Sequence, residues 1–440
     1  MGGFFIWWYI CRMEIEELYQ IYLQHPSVQT DTRKLKNGDL FFALKGPNFN
    51  GNEFAQQAIA NGAAYAIIDE EKYAIPGKTV LVADCLASLQ QLAKHHRQQF
   101  TIPFIAITGS NGKTTTKELI HAVLSSTHKT FATEGNLNNH IGVPLTILKI
   151  TKDAEFAIIE MGANHLGEIA SYCMIALPTY GLITNCGKAH LEGFGSEEAV
   201  RKGKGELFQY LRQYNGGAFV MWDYEYLQDM SKGIQTIYTY GTRDADIAGS
   251  VRSSDPFLEV GFSKGFPKKI KTSLVGSYNL PNVLAAVAVG SFFRIPEEKI
   301  KEAIEAYTPS NSRSQLLQKG SNKVILDAYN ANPSSMKLAI ENFSRAGGEN
   351  KILVLGAMAE LGIESIQEHS IIVEEIGKHH WKEVLLVGED FSKIAHPYTQ
   401  FHSSAEAGEW LKSKSLENSY LLVKGSRSTQ MEKVLDFLEN

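Results

Sequence analysis

A chain of 440 residues is too long for one compact core and suits two or three domains. With 43 basic against 48 acidic residues and no run of Lys and Arg, it offers no groove for a nucleic acid and no patch for an anionic membrane, so any phosphate it binds is held locally. Four cysteines, Cys11, Cys85, Cys173 and Cys186, stand far apart without C-x-x-C spacing, which argues against a zinc site or a disulfide framework and fits a reducing cytosol.

Phe4 to Ile10 is an aromatic run too short to span a bilayer, with no basic segment ahead of it and no small-residue cleavage pattern behind it. Residues 1–12 are therefore expected to be a non-structural extension, and the amphipathic stretch from Met13 opens a small α/β domain over residues 1–100. Within it the pattern predicts a turn at Lys36-Asn37-Gly38-Asp39, a strand at Leu40 to Leu44, a helix from Glu53 into Asn61-Gly62, and a polar helix from Leu86 to Gln99. A central domain spans 101–308: a buried strand at Phe104 to Thr108 runs into a glycine-rich turn and a helix, and apolar runs at Phe156 to Ile159 and Tyr180 to Thr184 end in polar residues, as parallel strands do when chemistry sits at their carboxyl ends. After Thr308-Pro309-Ser310 the pattern restarts. Strands at Lys323 to Leu326, Lys351 to Leu355, Val384 to Val387 and Tyr420 to Val423 alternate with helical segments, which makes 309–440 a Rossmann-like α/β domain ending in a helix. It lacks G-x-G-x-x-G, so a nicotinamide or flavin dehydrogenase is unsupported.

The strongest local signal is Gly109-Ser110-Asn111-Gly112-Lys113-Thr114-Thr115-Thr116 between a strand and a helix. Glycines let backbone N–H groups turn toward phosphate oxygens, the helix start adds positive potential, Lys113 reaches the β and γ phosphates, and Thr114 can ligate Mg²⁺. The loop is shortened, because Ile107 stands where the full G-x-x-x-x-G-K-[ST] form has its first glycine. A lysine followed by three threonines has no packing purpose, so an incidental turn is a poor alternative. Downstream, Glu160 ends an apolar run, where a hard oxygen ligand could meet the loop's magnesium, although a capping or surface Glu is the bland alternative.

The G-x-N-G-K-T-T form resembles the loop of the Mur ligases and their folate-polyglutamating relatives, and the resemblance extends over nearly the whole chain. Folylpolyglutamate synthases usually carry glycine after the loop lysine, so Thr114 favours the Mur branch. The resemblance implies three domains: a UDP-binding N-terminal domain, a central P-loop ATPase-like parallel-sheet domain, and a C-terminal Rossmann-like domain that binds the incoming amine. It places Asn138 and Asn139 beside the γ-phosphate and the muramoyl substrate, and Thr32, Arg33, Lys45 and Gly46 in the region that grips UDP. The stretch from Asn185 to Phe208 resembles a second-metal region, with His190 as one ligand and a lysine that CO₂ carbamylates. Lys204, followed by Gly205-Glu206-Leu207-Phe208, matches best and Lys202 is the runner-up, while solvated helix lysines are the plain alternative for both. Asn279 and Asn282 resemble residues that contact adenine, and helix capping would explain only one of them. Arg313 resembles an arginine reaching the γ-phosphate from the domain junction, and Asp327 could touch the ribose.

The segment from Asp327 through Tyr329, Asn330, Asn332 and Ser335 resembles the D-x-Y-N-A-N-P-x-S motif of the family members that add D-alanyl-D-alanine to a UDP-linked muramoyl tripeptide. Glu360, Glu368-His369, and Lys424 with Ser426 and Arg427 fall at further strand ends, which the resemblance sets around the dipeptide and the transferred phosphate. Taken alone, His369 reads as a surface helix residue. The D-N-P-R signature of the ligase that adds the third peptide residue is absent. The implied activity is an ADP-forming amide ligase of cell-wall synthesis. Its cofactors are ATP and Mg²⁺ and its partners are UDP-N-acetylmuramoyl-tripeptide and D-alanyl-D-alanine, and it is a cytoplasmic monomer without nucleic-acid or membrane partners. The competing readings are another Mur-type or folate-type ligase and an ATP-binding regulator that does not ligate.

Overall fold

The computed structural model describes residues 14–310 and 312–438, so the extension expected at 1–12 lies outside the described residues. The chain divides into two compact units, one of residues up to Phe104 with Phe131–Met161 and Ser171–Pro178, the other of Ile105–Thr130, Gly162–Ala170 and Thr179 onward. Among the described residues no helix is long and apolar enough to cross a membrane.

The first unit contains a parallel four-stranded sheet of Val28–Gln29, Leu40–Phe42, Tyr65–Ile68 and Thr79–Leu81 in that order. Leu40 and Phe42 are fully buried, as is Ile67 on the neighbouring strand. Helix Cys85–Arg97 begins where Asp84 accepts a hydrogen bond from the Ala87 N–H at 2.6 Å and ends in a basic turn of Lys94 to Arg97, the charge order that a helix dipole favours. The helix expected from Glu53 is shorter: Gly51–Phe54 is a 3-10 turn, and the α-helix is confined to Ala55–Ala60. The reason is local, since Asn50 accepts from the Asn52 N–H and closes the tighter turn first.

The second unit holds two separate sheets. In one, Phe104–Thr108 pairs in parallel with Tyr180–Ile183, followed by Gly217–Met221, Thr236–Gly241 and Ile247–Ser253. Glu259–Lys264 and Ile270–Lys271 then add an antiparallel edge that the sequence reading did not distinguish. In the other sheet the order is Gln315–Lys319, Asn322–Asp327, Tyr420–Lys424, Lys351–Gly356, Glu383–Val387 and Thr399–Phe401, parallel except for the first pair. Val324, Ile352, Val354, Leu385, Leu421 and Val423 form its core with Met431 and Val434. The last segment, expected as a helix, is a 3-10 helix Met431–Phe437. Its two buried residues are three apart, which is the period of a 3-10 turn laid against a sheet.

Both sheets put their polar strand ends where parallel strands place chemistry, so Thr108, Asp327, Gly356 and Lys424 all open into loops that carry candidate residues.

Candidate active site

The glycine loop connects strand Phe104–Thr108 to helix Lys113–Ser125. Gly109 has φ +142° and Gly112 φ +81°, and a side chain at Gly109 would meet the Thr184 hydroxyl oxygen at 2.0 Å. The loop is fastened to the neighbouring strand end. The Ser110 N–H donates to the Asn185 carbonyl at 2.9 Å, the Asn111 N–H to the Asn185 side-chain oxygen at 3.0 Å, and the Thr184 hydroxyl to the Asn111 carbonyl at 2.6 Å. The Ser110 hydroxyl donates to the Gly187 carbonyl at 2.9 Å. Thr184 was visible in the sequence only as the polar ending of an apolar run, and Asn185 and Gly187 only as the opening of the stretch that resembles a second-metal region, with no role toward the glycine loop. The Lys113 ammonium donates to the Gly109 carbonyl at 2.6 Å, so the lysine lies along the loop it would serve. Thr114 is buried in the first helical turn, and Thr115 follows it.

Asn279 and Asn282 are both buried and join in a chain rather than acting as helix caps. The Asn282 amide donates to the Asn279 oxygen at 2.8 Å, and its own oxygen accepts from the Thr116 hydroxyl at 3.0 Å. A side chain at Gly112 would lie 2.6 Å from that same Asn282 oxygen, so this asparagine packs against the loop from the far side of the helix start.

Lys204 is fully buried in helix Glu197–Gln213 and donates to the Ala163 carbonyl at 3.0 Å. Burial first, and the charge of Lys113 second, push its pKa down to about 7. Lys202 is exposed, so the solvated-lysine alternative holds for Lys202 and not for Lys204. Glu206, on the same helix, accepts from the Gly167 and Ala170 N–H groups at 2.6 and 2.9 Å and holds that segment against the helix.

His190 adopts a left-handed φ of +54°, and its Nδ1 lies 2.5 Å from the Glu360 carboxylate, itself at a left-handed φ of +61°. The imidazole hydrogen bond is the main cause that lowers the Glu360 pKa. The Glu192 N–H also donates to the Glu360 carbonyl, at 3.1 Å. Two residues before His190, the Lys188 ammonium meets the buried Glu368 carboxylate at 2.6 Å. The neighbouring His369 is fully buried rather than on the surface. Its Nε2 accepts from the Met358 N–H at 3.0 Å, so Nδ1 carries the proton and donates to the Ser365 carbonyl at 2.7 Å. Burial lowers its pKa and keeps it neutral.

At the other strand ends, Lys424 is buried and paired with Asp327 at 2.6 Å, directly opposite it in the sheet register. Asp327 also accepts from the Ser314 N–H at 3.1 Å. The Arg313 guanidinium lies over the Tyr329 ring at 3.6 Å. The Asn330 side chain accepts from the Ala331 N–H at 2.9 Å. Asn332 and Ser335 form a reciprocal capping box on helix Pro333–Arg345, and the Asn332 amide donates to the Asn111 side chain at 2.7 Å, which links this motif to the glycine loop. The Ser426 hydroxyl donates to the Ala357 carbonyl at 2.6 Å, and Arg427 pairs with Glu432 on the surface.

In the first unit, the buried Glu160 carboxylate accepts from the Asn138 amide at 2.8 Å, whereas the Asn139 side-chain oxygen accepts from the Ile141 and Gly142 N–H groups at the start of the following helix. Thr32 opens a 3-10 turn in which Arg33 is tied to Asp31. Lys45, beside Gly46 in a short hairpin, is paired with Asp69 at 2.8 Å and Glu70 at 3.1 Å.

Three family models match the chain: the Mur ligase family catalytic domain over residues 26–97, the Mur ligase middle domain over 107–290, and the Mur ligase glutamate ligase domain over 312–427. The UDP-N-acetylmuramoyl-tripeptide–D-alanyl-D-alanine ligase of Bacillus subtilis is 34% identical over 431 residues, covering 94% of this chain and 93% of its own. Among solved structures, MurF from Acinetobacter baumannii matches with a TM-score of 0.85 at 30% identity over 95% of this chain and 97% of its own. MurF ligase from Thermotoga maritima in complex with ADP matches with a TM-score of 0.84 at 26% identity over 94% and 97%. Identity above 30% along nearly the full length, together with the three matched domains, establishes that this chain belongs to the Mur ligase family.

Proposed function

We propose that the chain joins D-alanyl-D-alanine to UDP-N-acetylmuramoyl-tripeptide, the two compounds in the name of its B. subtilis relative, and that it does so at the expense of ATP in the cytoplasmic synthesis of peptidoglycan precursors. The observation that carries this reading is the loop Gly109 to Thr114, fastened to Asn185 and joined through Asn111 to Asn332 of the D-x-Y-N-A-N-P-x-S motif. One bond thereby links the nucleotide loop to the motif typical of dipeptide-adding ligases. In this reading a tripeptide carboxylate oxygen attacks the γ-phosphorus of ATP and ADP leaves. The dipeptide amine then attacks the resulting acyl phosphate, forming the amide and releasing phosphate. Phosphoryl transfer asks the protein chiefly for positioning and charge neutralisation, which suits Lys113 and Arg313 and needs no nucleophilic side chain.

Magnesium suits the loop, because a hard ion takes one or two protein oxygens beside phosphates, and the buried Thr114 hydroxyl at the start of the helix is such an oxygen. Bound there, it supplies charge stabilisation to the transferring phosphate. His190 and Lys204 would serve a second ion. A lysine titrating near 7 is substantially unprotonated at neutral pH, as its reaction with CO₂ to a carbamate requires. We assign UDP to the first domain, about 1–100, ATP to 101–308, and the dipeptide to 309–440, in a monomeric enzyme. Asn279, Asn282 and Asp327 then face the nucleoside, and Tyr329, Asn330, Glu360, Lys424 and Ser426 the dipeptide.

The test is phosphate release with UDP-muramoyl peptides and a choice of amines: D-alanyl-D-alanine, single amino acids or glutamate. Stimulation by the dipeptide alone is expected. Stimulation by glutamate would instead identify a folate-type ligase, and no ADP with any amine would leave an ATP-binding regulator. Single-turnover assays of Lys113→Ala and His190→Ala are expected to lose ADP formation.

A further inference from the structure

The Lys188–Glu368 pair joins two segments that the family models assign to different domains, since Lys188 falls in the matched middle domain and Glu368 in the matched glutamate ligase domain. Its setting is unusual for an ion pair. The Glu368 side chain is only 3% exposed, whereas Lys188 remains 42% exposed, so a buried carboxylate depends on a cation that reaches in from solvent. Removing that cation leaves a desolvated charge without its ionic partner, which makes the pair directional: Glu368 needs Lys188 more than Lys188 needs Glu368.

The contacts around the pair form a closed circuit. His369, next in sequence to Glu368, fixes the Met358 N–H at 3.0 Å, and two residues on from Met358, Glu360 receives His190 at its carboxylate and the Glu192 N–H at its carbonyl. The segment 188–192 is therefore laced to 358–369 at three places, and Lys188–Glu368 is the one that does not pass through Glu360. We infer that Lys188 and Glu368 are positioning residues, which hold the His190 segment in register with Glu360 across the two domains so that phosphoryl acceptor and incoming amine meet. This rests on the ligase reading, because it names what aligns that site.

The experiment compares Lys188→Met, which keeps the aliphatic stem and removes the charge, with Lys188→Arg, which restores it. Glu368→Gln and the double variant Lys188→Met/Glu368→Gln complete the cycle. The readouts are kcat and KM for ATP and for D-alanyl-D-alanine, with ADP binding and thermal melting as controls on folding. A charged hydrogen bond of this kind corresponds to roughly a ten- to hundred-fold effect, and the exposure of Lys188 puts the expectation at the lower end. Lys188→Met should lower kcat/KM for the dipeptide by about tenfold, leave ADP binding unchanged, and be rescued by arginine. The double variant should be no worse than the poorer single variant, because the two losses are one interaction. Additive losses, an unrescued Lys188→Arg, or an ATP KM that moves as much as the dipeptide KM would overturn the inference. If the wild-type protein itself fails to ligate the dipeptide, the ligase reading falls instead. In that case the cycle is read from melting temperatures alone, where additivity again refutes the coupling.

Discussion

Asn332 performs two tasks with one amide, and substitutions can separate them. Its oxygen accepts the Ser335 N–H at 2.9 Å and caps helix Pro333–Arg345, which fixes the amide orientation and aims its nitrogen at the Asn111 oxygen 2.7 Å away. Losing a cap costs about 1 kcal/mol, and a neutral hydrogen bond contributes about 1 kcal/mol more. Asn332→Ala should therefore destabilise by about 2 kcal/mol, a fall in melting temperature of roughly 2 °C if a chain of this size unfolds as one unit. Asn332→Ser retains a capping oxygen but is too short to reach Asn111, so it should keep most of the stability, within about 1 kcal/mol, and still release the glycine loop from this motif. The assay pairs scanning calorimetry with KM for ATP. Serine should melt near the wild type and yet share alanine's raised KM. Equal melting of the two variants would show that the cap contributes nothing. An unchanged KM in both would show that the Asn111 bond does not order the loop.

Lys204 gives a pH test. Its folded pKa of about 7 lies below the ordinary lysine value of 10.5, so between those limits the unfolded chain carries a proton that the folded chain lacks, and stability must rise with pH. In CO₂-free buffer the wild type should gain up to about 1.4 kcal/mol per pH unit in that window relative to Lys204→Met, measured by urea unfolding; parallel curves would refute the burial effect. Lys202→Met should leave ligation intact while Lys204→Met abolishes it, because only the second side chain is buried. Gly109→Ala should abolish ADP binding in titration calorimetry, and adding Thr184→Ala should not restore it, since backbone nitrogens of Thr184 and Asn185 still lie 3.0 and 3.1 Å from the new methyl group.

The parallel strands were legible because runs such as Phe104 to Thr108 are apolar on both faces and end in polar residues, a pattern that only a doubly covered sheet rewards. The glycine loop was legible because its two glycines stand where the backbone takes a positive φ, a demand that residue type shows directly. Apart from the resemblance, nothing local marks His369 as buried, because a lone imidazole on a helix carries no sign of depth. Its burial is set by Met358 and Phe391, which approach from elsewhere in the fold. Lys188 went unnoticed because its partner is 180 residues away. The antiparallel edge from Glu259 to Lys271 alternates weakly, and its register shifts at two points, which blurs the period of two. The resemblance favoured Lys204 over Lys202, and the helix face that each occupies adds the physical reason, since only Lys204 is buried.

His190 and Glu360 face one another with both backbones in a conformation that residues bearing a Cβ seldom adopt. Each such residue costs on the order of 1 kcal/mol, and the cost persists only while neighbouring bonds over-determine the geometry. Parting the two loops would let both backbones relax, so the contact resembles a cocked spring more than a simple clasp. The strain therefore falls on the bonds around the contact, Lys188–Glu368 and the Glu192 N–H to the Glu360 carbonyl among them, which must hold both backbones in place.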